Sequence, residues 1–548
     1  MTASGTTRMG VEERGTGAGA AGAAPWLSSY QQGVPTAIDY PPLTLPGLFD
    51  QAVARYADRP AIVYFGRTVL YRELDRLAAQ FANRLRAFGL QRGDRVLVIL
   101  PNVPQFPIAH FGTLRAGGVV AAISPLLVER EIEALARDAG ARIAVVLDAF
   151  WDKVAPLRER GVLDRVIVAT PDEFLPPHLR LLYPLRAGKP PAAPDEPTRG
   201  IYRFRRLLTG ADDRAPHAGV NPEDVATFQY TGGTTGLPKA AMLSHGALVA
   251  NARQVLAWVS GLRPGEETVL SILPFFHAYG ATLCLHLATL LGAKQLLLPR
   301  FDTREVLGAI KKGRPTVFPG VPMMYVSLLA ATRDRAAEAR SLSSIRYCIS
   351  GAAALPVEVR AEFERLTGAS LVEGYGLSEA SPVTHCNPLD GRARSGSIGL
   401  PFPDTEVCLA DPATGEPLPL APGTRGELLI RGPQVMKGYW QRPEETAETL
   451  RGGWLHTGDI VTMDADGFFA IVDRKKDVII TGGENIYPRE IEEVLYAHPQ
   501  IQETVVVGVP HPVAGQAVKA FIVPRLGEGL TRRDVLQWCL ARLAKYKV

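Results

Sequence analysis

Ten consecutive residues, Tyr230-Thr231-Gly232-Gly233-Thr234-Thr235-Gly236-Leu237-Pro238-Lys239, concentrate three glycines, three threonine hydroxyls and one lysine directly after the apolar run Val225-Ala226-Thr227-Phe228-Gln229. Glycines let backbone N–H groups turn toward one anion, hydroxyls add rotatable donors and the lysine adds positive charge, so the loop suits a polyphosphate. Its spacing differs from GxxxxGK[ST], which disfavours a Walker-type loop. A second cluster, Leu371-Val372-Glu373-Gly374-Tyr375-Gly376-Leu377-Ser378-Glu379, runs from apolar residues into two glycines flanking an aromatic, then a hydroxyl and a carboxylate. By residue type alone it is either a strand-to-turn junction with a core tyrosine or an aromatic face beside a carboxylate able to hold a metal.

Three further segments carry groups of the same kind. Ser350-Gly351-Ala352-Ala353-Ala354 follows an apolar strand with side chains too small to fill space, which allows a ligand close to the backbone. Trp454-Leu455-His456-Thr457-Gly458-Asp459 ends in a Thr-Gly-Asp that is an ordinary turn by composition, and Asp473-Arg474-Lys475-Lys476-Asp477 is by itself a solvated charged face. His277, in Pro274-Phe275-Phe276-His277, is read as a histidine satisfied inside an aromatic wall in preference to a base in an apolar pocket.

These groups need a rigid frame, and the hydropathy pattern supplies one. Leu74, Leu77, Ala78, Phe81, Leu85 and Phe88 recur at helical spacing before Gly89, a C-cap candidate. Short, continuously apolar, β-branched runs at 95–100, 118–123 and 143–147 predict parallel strands buried on both faces, with a crossing helix at 129–139. A second set recurs at 295–298, 316–318 and 345–349, so the fold class is α/β. Residues 184–213 lack a clear period and read as a surface excursion, whereas 278–293 read as a buried helix. From about Ser395 to Asp473 closely spaced turn signals predict an antiparallel β subdomain. Residues 474–548 predict a small α+β domain with helices at 487–497 and 531–543.

At 548 residues the chain is long enough for several domains, and 46% hydrophobic with 21% charged residues is the mix of globular proteins. A net charge of +4 leaves no nucleic-acid footprint. Five cysteines, an odd number without metal-ligand spacing, point to reduced thiols and a cytoplasmic location. Residues 1–25 are rich in Gly, Ala and Thr and read as a disordered tail, and with no spanning segment any membrane contact is peripheral, at the inner face.

Nearly letter for letter, the loop at 230–239 resembles the phosphate loop of the acyl-adenylate-forming superfamily, and 375–379 resembles its Y-G-x-[ST]-E motif. The segments 395–401, 432–440 and 452–476 are similar to the signature of long-chain fatty acyl-CoA synthetases, so the resemblance covers residues 26–548. It implies a large N-terminal adenylation domain (26–473) of two parallel-sheet α/β subdomains plus a β subdomain, followed by a small mobile α+β domain (474–548). It also implies ATP as the nucleotide, contacted by Thr231, Gly233, Thr234, Thr235, Gly236 and Lys239 through phosphate. Tyr375 stacks on adenine within a wall of Gly351, Ala352, Ala353, Glu373, Gly374 and Gly376, and Ser378 touches phosphate. Thr234 and Glu379 hold Mg²⁺, Asp459 accepts from the ribose hydroxyls beside Arg474, and Gly351 and His277 position the acyl substrate. Lys476 matches the hinge, and Gly483 the channel for coenzyme A.

The implied reaction joins a fatty carboxylate to AMP with release of pyrophosphate, then passes the acyl group to the CoA thiol. Thr234, Glu379 and Lys476 are its implied catalytic residues. Fatty acid, ATP and CoA are the implied partners, with a homodimer left open and no nucleic acid. The family continues through a P-x-[TS]-x-x-G-K segment where this chain has Leu543-Ala544-Lys545-Tyr546-Lys547-Val548, so the expectation is a truncated chain slowed in the first half-reaction. An acyl- and nucleotide-binding protein without turnover, or a ligase for aryl or medium-chain acids, are the alternatives.

Overall fold

A computed structural model of the chain describes residues 24–186, 193–231, 238–333, 335–475, 477–481, 484–511, 515–525, 529–543 and 547–548. The strand Arg95–Ile99 and its neighbours Val119–Ala122 and Ile143–Leu147 are parallel, and the interiors of the outer two have almost no exposure. Continuously apolar runs settle where helices cover both sheet faces, which is why they read as buried parallel strands. Between Val119–Ala122 and Ile143–Leu147 the helix Glu129–Ala139 crosses over and stops at Gly140, whose φ of 61° is left-handed. The helix Tyr71–Ala87 ends at the expected place, with Phe88 as its cap.

Seven strands make the first sheet, in the order Ile201–Arg203, Arg165–Ala169, Ile143–Leu147, Arg95–Ile99, Val119–Ala122, Val225–Thr231 and Lys239–Ser244; only the last pair is antiparallel. The second sheet has nine strands, with a parallel centre of Ser370–Gly376, Tyr347–Ser350, Val317–Gly320, Thr268–Ser271, Lys294–Leu297 and Pro60–Tyr64. Pro60–Tyr64 pairs antiparallel with the next strand, Arg67–Leu70, on one side and parallel with the distant Lys294–Leu297 on the other, and no local pattern announced the second pairing. One continuous apolar core joins the two sheets.

Two expectations change. Within 184–213, Ile201–Arg203 is an edge strand and Phe204, Leu207 and Leu208 of the helix Phe204–Leu208 are buried, with Phe204 stacked on Phe81 at 5.6 Å. Residues 201–208 are part of the body, and their elements are too short to show a period. The buried helix expected at 278–293 is buried but not uniform: Ala281–His286 is wound with π-type i→i+5 bonds between short α-helical ends. Such segments are frequent at functional sites.

The β subdomain is a five-stranded antiparallel sheet ordered Pro417–Leu418, Glu406–Ala410, Arg425–Arg431, Leu455–Met463 and Phe469–Arg474. A four-stranded sheet of Glu484–Ile486, Ile479–Thr481, Gly515–Pro524 and Ile501–His511 follows, with the helices Pro488–Tyr496 and Arg532–Leu540. It closes over a separate small core that includes Ile479, Ile491, Leu495 and Val506. Among the described residues no helix is long and apolar enough to cross a membrane, all five cysteines are free thiols, and no cluster of three His, Cys, Asp or Glu could hold a metal alone.

Candidate active site

The C-terminal ends of the parallel strands, the β subdomain and the C-terminal sheet surround one cleft of about 1430 Å³. Its walls include Tyr230, Thr231 and Lys239 from the first sheet and Glu373 to Glu379 from the second. Leu455 to Asp459 come from the β subdomain, and Val505 and Gly508 from the last sheet. Open α/β sheets bind ligands beyond the carboxyl ends of their strands, so topology alone selects this place.

Tyr375 ends the strand Ser370–Gly376 and donates from its hydroxyl to Asp459 Oδ2 at 2.5 Å. Burial first, then the Asp459 charge, holds the phenol far above its ordinary pKa, so it remains a donor. Behind it His385 meets the ring edge-on at 5.8 Å, which fixes the plane of the aromatic face. Asp459 reaches the cleft through a bulge in Leu455–Met463, where register slips opposite Glu427 and Leu429. Thr457 pins that bulge, its hydroxyl donating to Leu428 O at 2.8 Å and accepting from Asp459 N at 3.1 Å. Arg474 Nε lies 3.3 Å from Asp459 Oδ1.

Glu379 and Lys239 come together through a residue that the motif reading passed over. Tyr439 donates to Glu379 Oε1 at 2.7 Å, and its ring lies 5.3 Å from Lys239 Nζ. The segment around it pairs with the strand Lys239–Ser244 through Met242 N to Gly438 O at 2.9 Å and Trp440 N to Ala240 O at 2.9 Å. A tyrosine in a Gly-Tyr-Trp sequence carries no chemical signature of its own; its importance lies in what it touches. Ser378, which also lines the cleft, opens the short turn that carries Glu379.

Other expected residues have packing duties here. Glu373 lines the cleft, yet its Oε2 accepts from Leu355 N at 2.9 Å and so ties down the 351–355 loop; burial raises its pKa above the usual carboxylate range. A Cβ on Gly374 would stand 2.9 Å from Ile349 Cγ2, one on Gly351 3.1 Å from the Tyr279 ring, and one on Gly376 would collide with the Pro382 carbonyl. Ala352 holds a φ of 68°, a strained conformation for a side-chain-bearing residue, and with Ala353 it faces the cleft. His277 differs from the reading as a satisfied wall histidine. Its ring rests on Phe276 at 4.7 Å but is exposed along the cleft, and partial desolvation lowers its pKa. Gly233, Thr234, Thr235, Gly236, Lys476 and Gly483 lie outside the described residues.

The missed carboxylate is Glu427, 2% exposed, which accepts from Gly458 N at 3.2 Å and from Lys475 Nζ at 2.9 Å. Its signal was a lone charge inside the apolar strand Arg425–Arg431, a placement that demands partners. An aromatic face, a carboxylate at hydroxyl-binding reach, a cation and a second carboxylate thus converge, an arrangement suited to a nucleoside polyphosphate.

Known proteins agree with this geometry. A profile of the AMP-binding enzyme family matches residues 49–440, and one of the AMP-binding enzyme C-terminal domain matches residues 490–548. The long-chain-fatty-acid–CoA ligase of Bacillus subtilis (strain 168) is 44% identical over 526 residues, covering 96% of this chain and 93% of that protein. Its namesake in Escherichia coli O157:H7 is 38% identical over 538 residues, covering 95% and 93%. Among solved structures, ATP-bound MatB from Rhodopseudomonas palustris superposes with a TM-score of 0.77 at 30% identity, covering 92% of this chain and 93% of the other.

Proposed function

The chain belongs to the AMP-binding enzyme family, and from that premise we propose that it is a long-chain-fatty-acid–CoA ligase that works at the cleft around Tyr375, Glu379 and Asp459. The observation that carries the assignment is the convergence of Tyr375 and Asp459, brought from two different sheets to 2.5 Å at the base of one cleft. The identity to the long-chain ligases supports the substrate class.

In this reading adenine lies on the Tyr375 face, and the ribose hydroxyls donate to Asp459 in exchange for the Tyr375 and Arg474 contacts. The phosphates run toward Lys239. The fatty carboxylate, ionised at neutral pH, needs no base to attack the α-phosphorus. Pyrophosphate leaves, and in the second half-reaction the CoA thiol takes the acyl group and releases AMP. His277, exposed on the cleft wall, fits a role in placing the acyl chain.

Mg²⁺ fits the site as an ion shared with the nucleotide: Glu379 is the carboxylate at hand, and no protein-only cage exists among the described residues. When bound, the ion neutralises charge on the phosphates during transfer. Tyr439 would orient Glu379 toward it. We also place the protein in the cytoplasm, at most peripherally attached to the inner membrane face; the free thiols support this.

An acid panel tests the reading. Purified protein is given ATP, CoA and one of hexadecanoate, octanoate, benzoate or ferulate, and acyl-CoA is measured by mass. Preference for hexadecanoate supports the assignment, and preference for an aromatic acid refutes the substrate class.

A further inference from the structure

Glu427, Gly458 and Lys475 form a closed ring. Gly458 N donates to Glu427 Oε1 at 3.2 Å, Lys475 N donates to Gly458 O at 2.8 Å, and Lys475 Nζ returns to Glu427 Oε2 at 2.9 Å. Gly458 is therefore gripped at both its N–H and its C=O, one in each flanking peptide unit, by residues that also grip each other. The gripped residue lies in the bulge that presents Asp459, and Lys475 is the neighbour of Arg474, which pairs with Asp459. His456 Nδ1 stands 3.6 Å from Glu427 Oε2 and fills the remaining side.

We propose that Glu427 is a positioning residue for the nucleotide sugar: through this ring it sets the height of Asp459 in the cleft and locks it to Lys475, which follows the strand Phe469–Arg474. The inference rests on the assignment of Asp459 to the nucleotide. A buried carboxylate tolerates its burial only while charged donors satisfy it. Loss of the lysine contact would leave Glu427 with one backbone hydrogen bond, from Gly458, and the more distant His456, and relax the bulge. The lysine is partly exposed, so removing its charge perturbs position far more than folding. Glu427 touches neither substrate nor metal in this scheme; it acts through Gly458 and Asp459.

The test is a double-mutant cycle on the full chain with Glu427→Gln, Lys475→Met and the pair. Affinity for a non-hydrolysable ATP analogue is measured by calorimetry, with KM for hexadecanoate and thermal melting alongside. Each single change should weaken nucleotide binding roughly tenfold, as expected for one charge-assisted hydrogen bond. The double variant should be no worse than either single one, Lys475→Arg should restore binding, and KM for hexadecanoate should stay level. Unchanged nucleotide affinity in the single variants, or losses that add, would overturn the positioning role while leaving the assigned reaction intact. Wild-type protein that fails to bind the analogue would instead overturn the assigned reaction and the positioning role together.

Discussion

Tyr375 and Asp459 are 84 positions apart and lie on different sheets, yet the phenol donates to the carboxylate at 2.5 Å. The contact closes the base of the cleft and makes the aromatic face and the carboxylate proposed to hold the sugar one rigid unit. In the proposed binding mode a nucleotide keeps the face and takes over the carboxylate.

The two parts of Tyr375 are therefore separable. Tyr375→Phe keeps the face and should change KM for ATP less than about threefold, because the lost hydrogen bond is exchanged on binding in any case. Tyr375→Ala should raise KM at least about tenfold, the worth of one base-stacking contact. Pyrophosphate exchange at varied ATP checks both, and equal effects would show that the ring does not carry the base.

Glu379→Gln should lower the rate of adenylation about 100-fold with little change in ATP affinity, since charge neutralisation is needed mainly in the transition state. Tyr439→Phe, which frees Glu379 Oε1 from its 2.7 Å donor, should cost less, about threefold to tenfold. A Mg²⁺ titration of acyl-adenylate formation reads both. Wild-type behaviour of Glu379→Gln at limiting Mg²⁺ would remove Glu379 from the metal.

Gly376 lines the cleft, and a Cβ there would collide with the Pro382 carbonyl. Gly376→Ala should therefore lower stability by about 1–3 kcal/mol through overpacking. Denaturant unfolding measures it. A wild-type midpoint combined with impaired nucleotide binding would reverse the assignment.

Glu173 gives stability a pH dependence remote from the cleft. Burial pushes its carboxyl up to about 7, although Gln105 Nε2 and Arg205 N donate to it at 2.7 and 3.2 Å. The folded protein thus holds this proton where the unfolded chain has released it. The group's contribution is complete below the ordinary carboxylate pKa near 4.5 and is lost as pH rises through 7. Glu173→Gln should then gain stability relative to wild type between pH 5 and pH 8, by about 2–3 kcal/mol at most. Melting curves at the two pH values decide, and a constant offset would show that Glu173 does not titrate in this range.

Much of this was legible before any coordinates. The runs at 95–100 and 143–147 are apolar because both sheet faces are covered, and that composition reads directly as parallel strand. Tyr375, Glu379 and Asp459 stood out because their neighbours were glycines and hydroxyls in short, recognisable orders. Pro60–Tyr64 was invisible as a member of the second sheet, since the parallel partner that joins it to that sheet lies more than two hundred residues away and such pairing leaves no local trace. Tyr439 and Glu427 were passed over for a related reason. Each is an ordinary residue in an ordinary strand or loop, and its role follows from a partner supplied by another part of the chain. His277 was misjudged because two preceding phenylalanines suggested enclosure, whereas the chain turns its ring outward along the cleft.

The most direct measurement of the central claim follows the products of ATP when purified protein meets hexadecanoate and CoA. The account predicts hexadecanoyl-CoA, AMP and pyrophosphate in equal amounts, no AMP without the fatty acid, and formation of all three slowed about 100-fold in Glu379→Gln. ADP and phosphate as products, or AMP release that ignores the fatty acid, would contradict it.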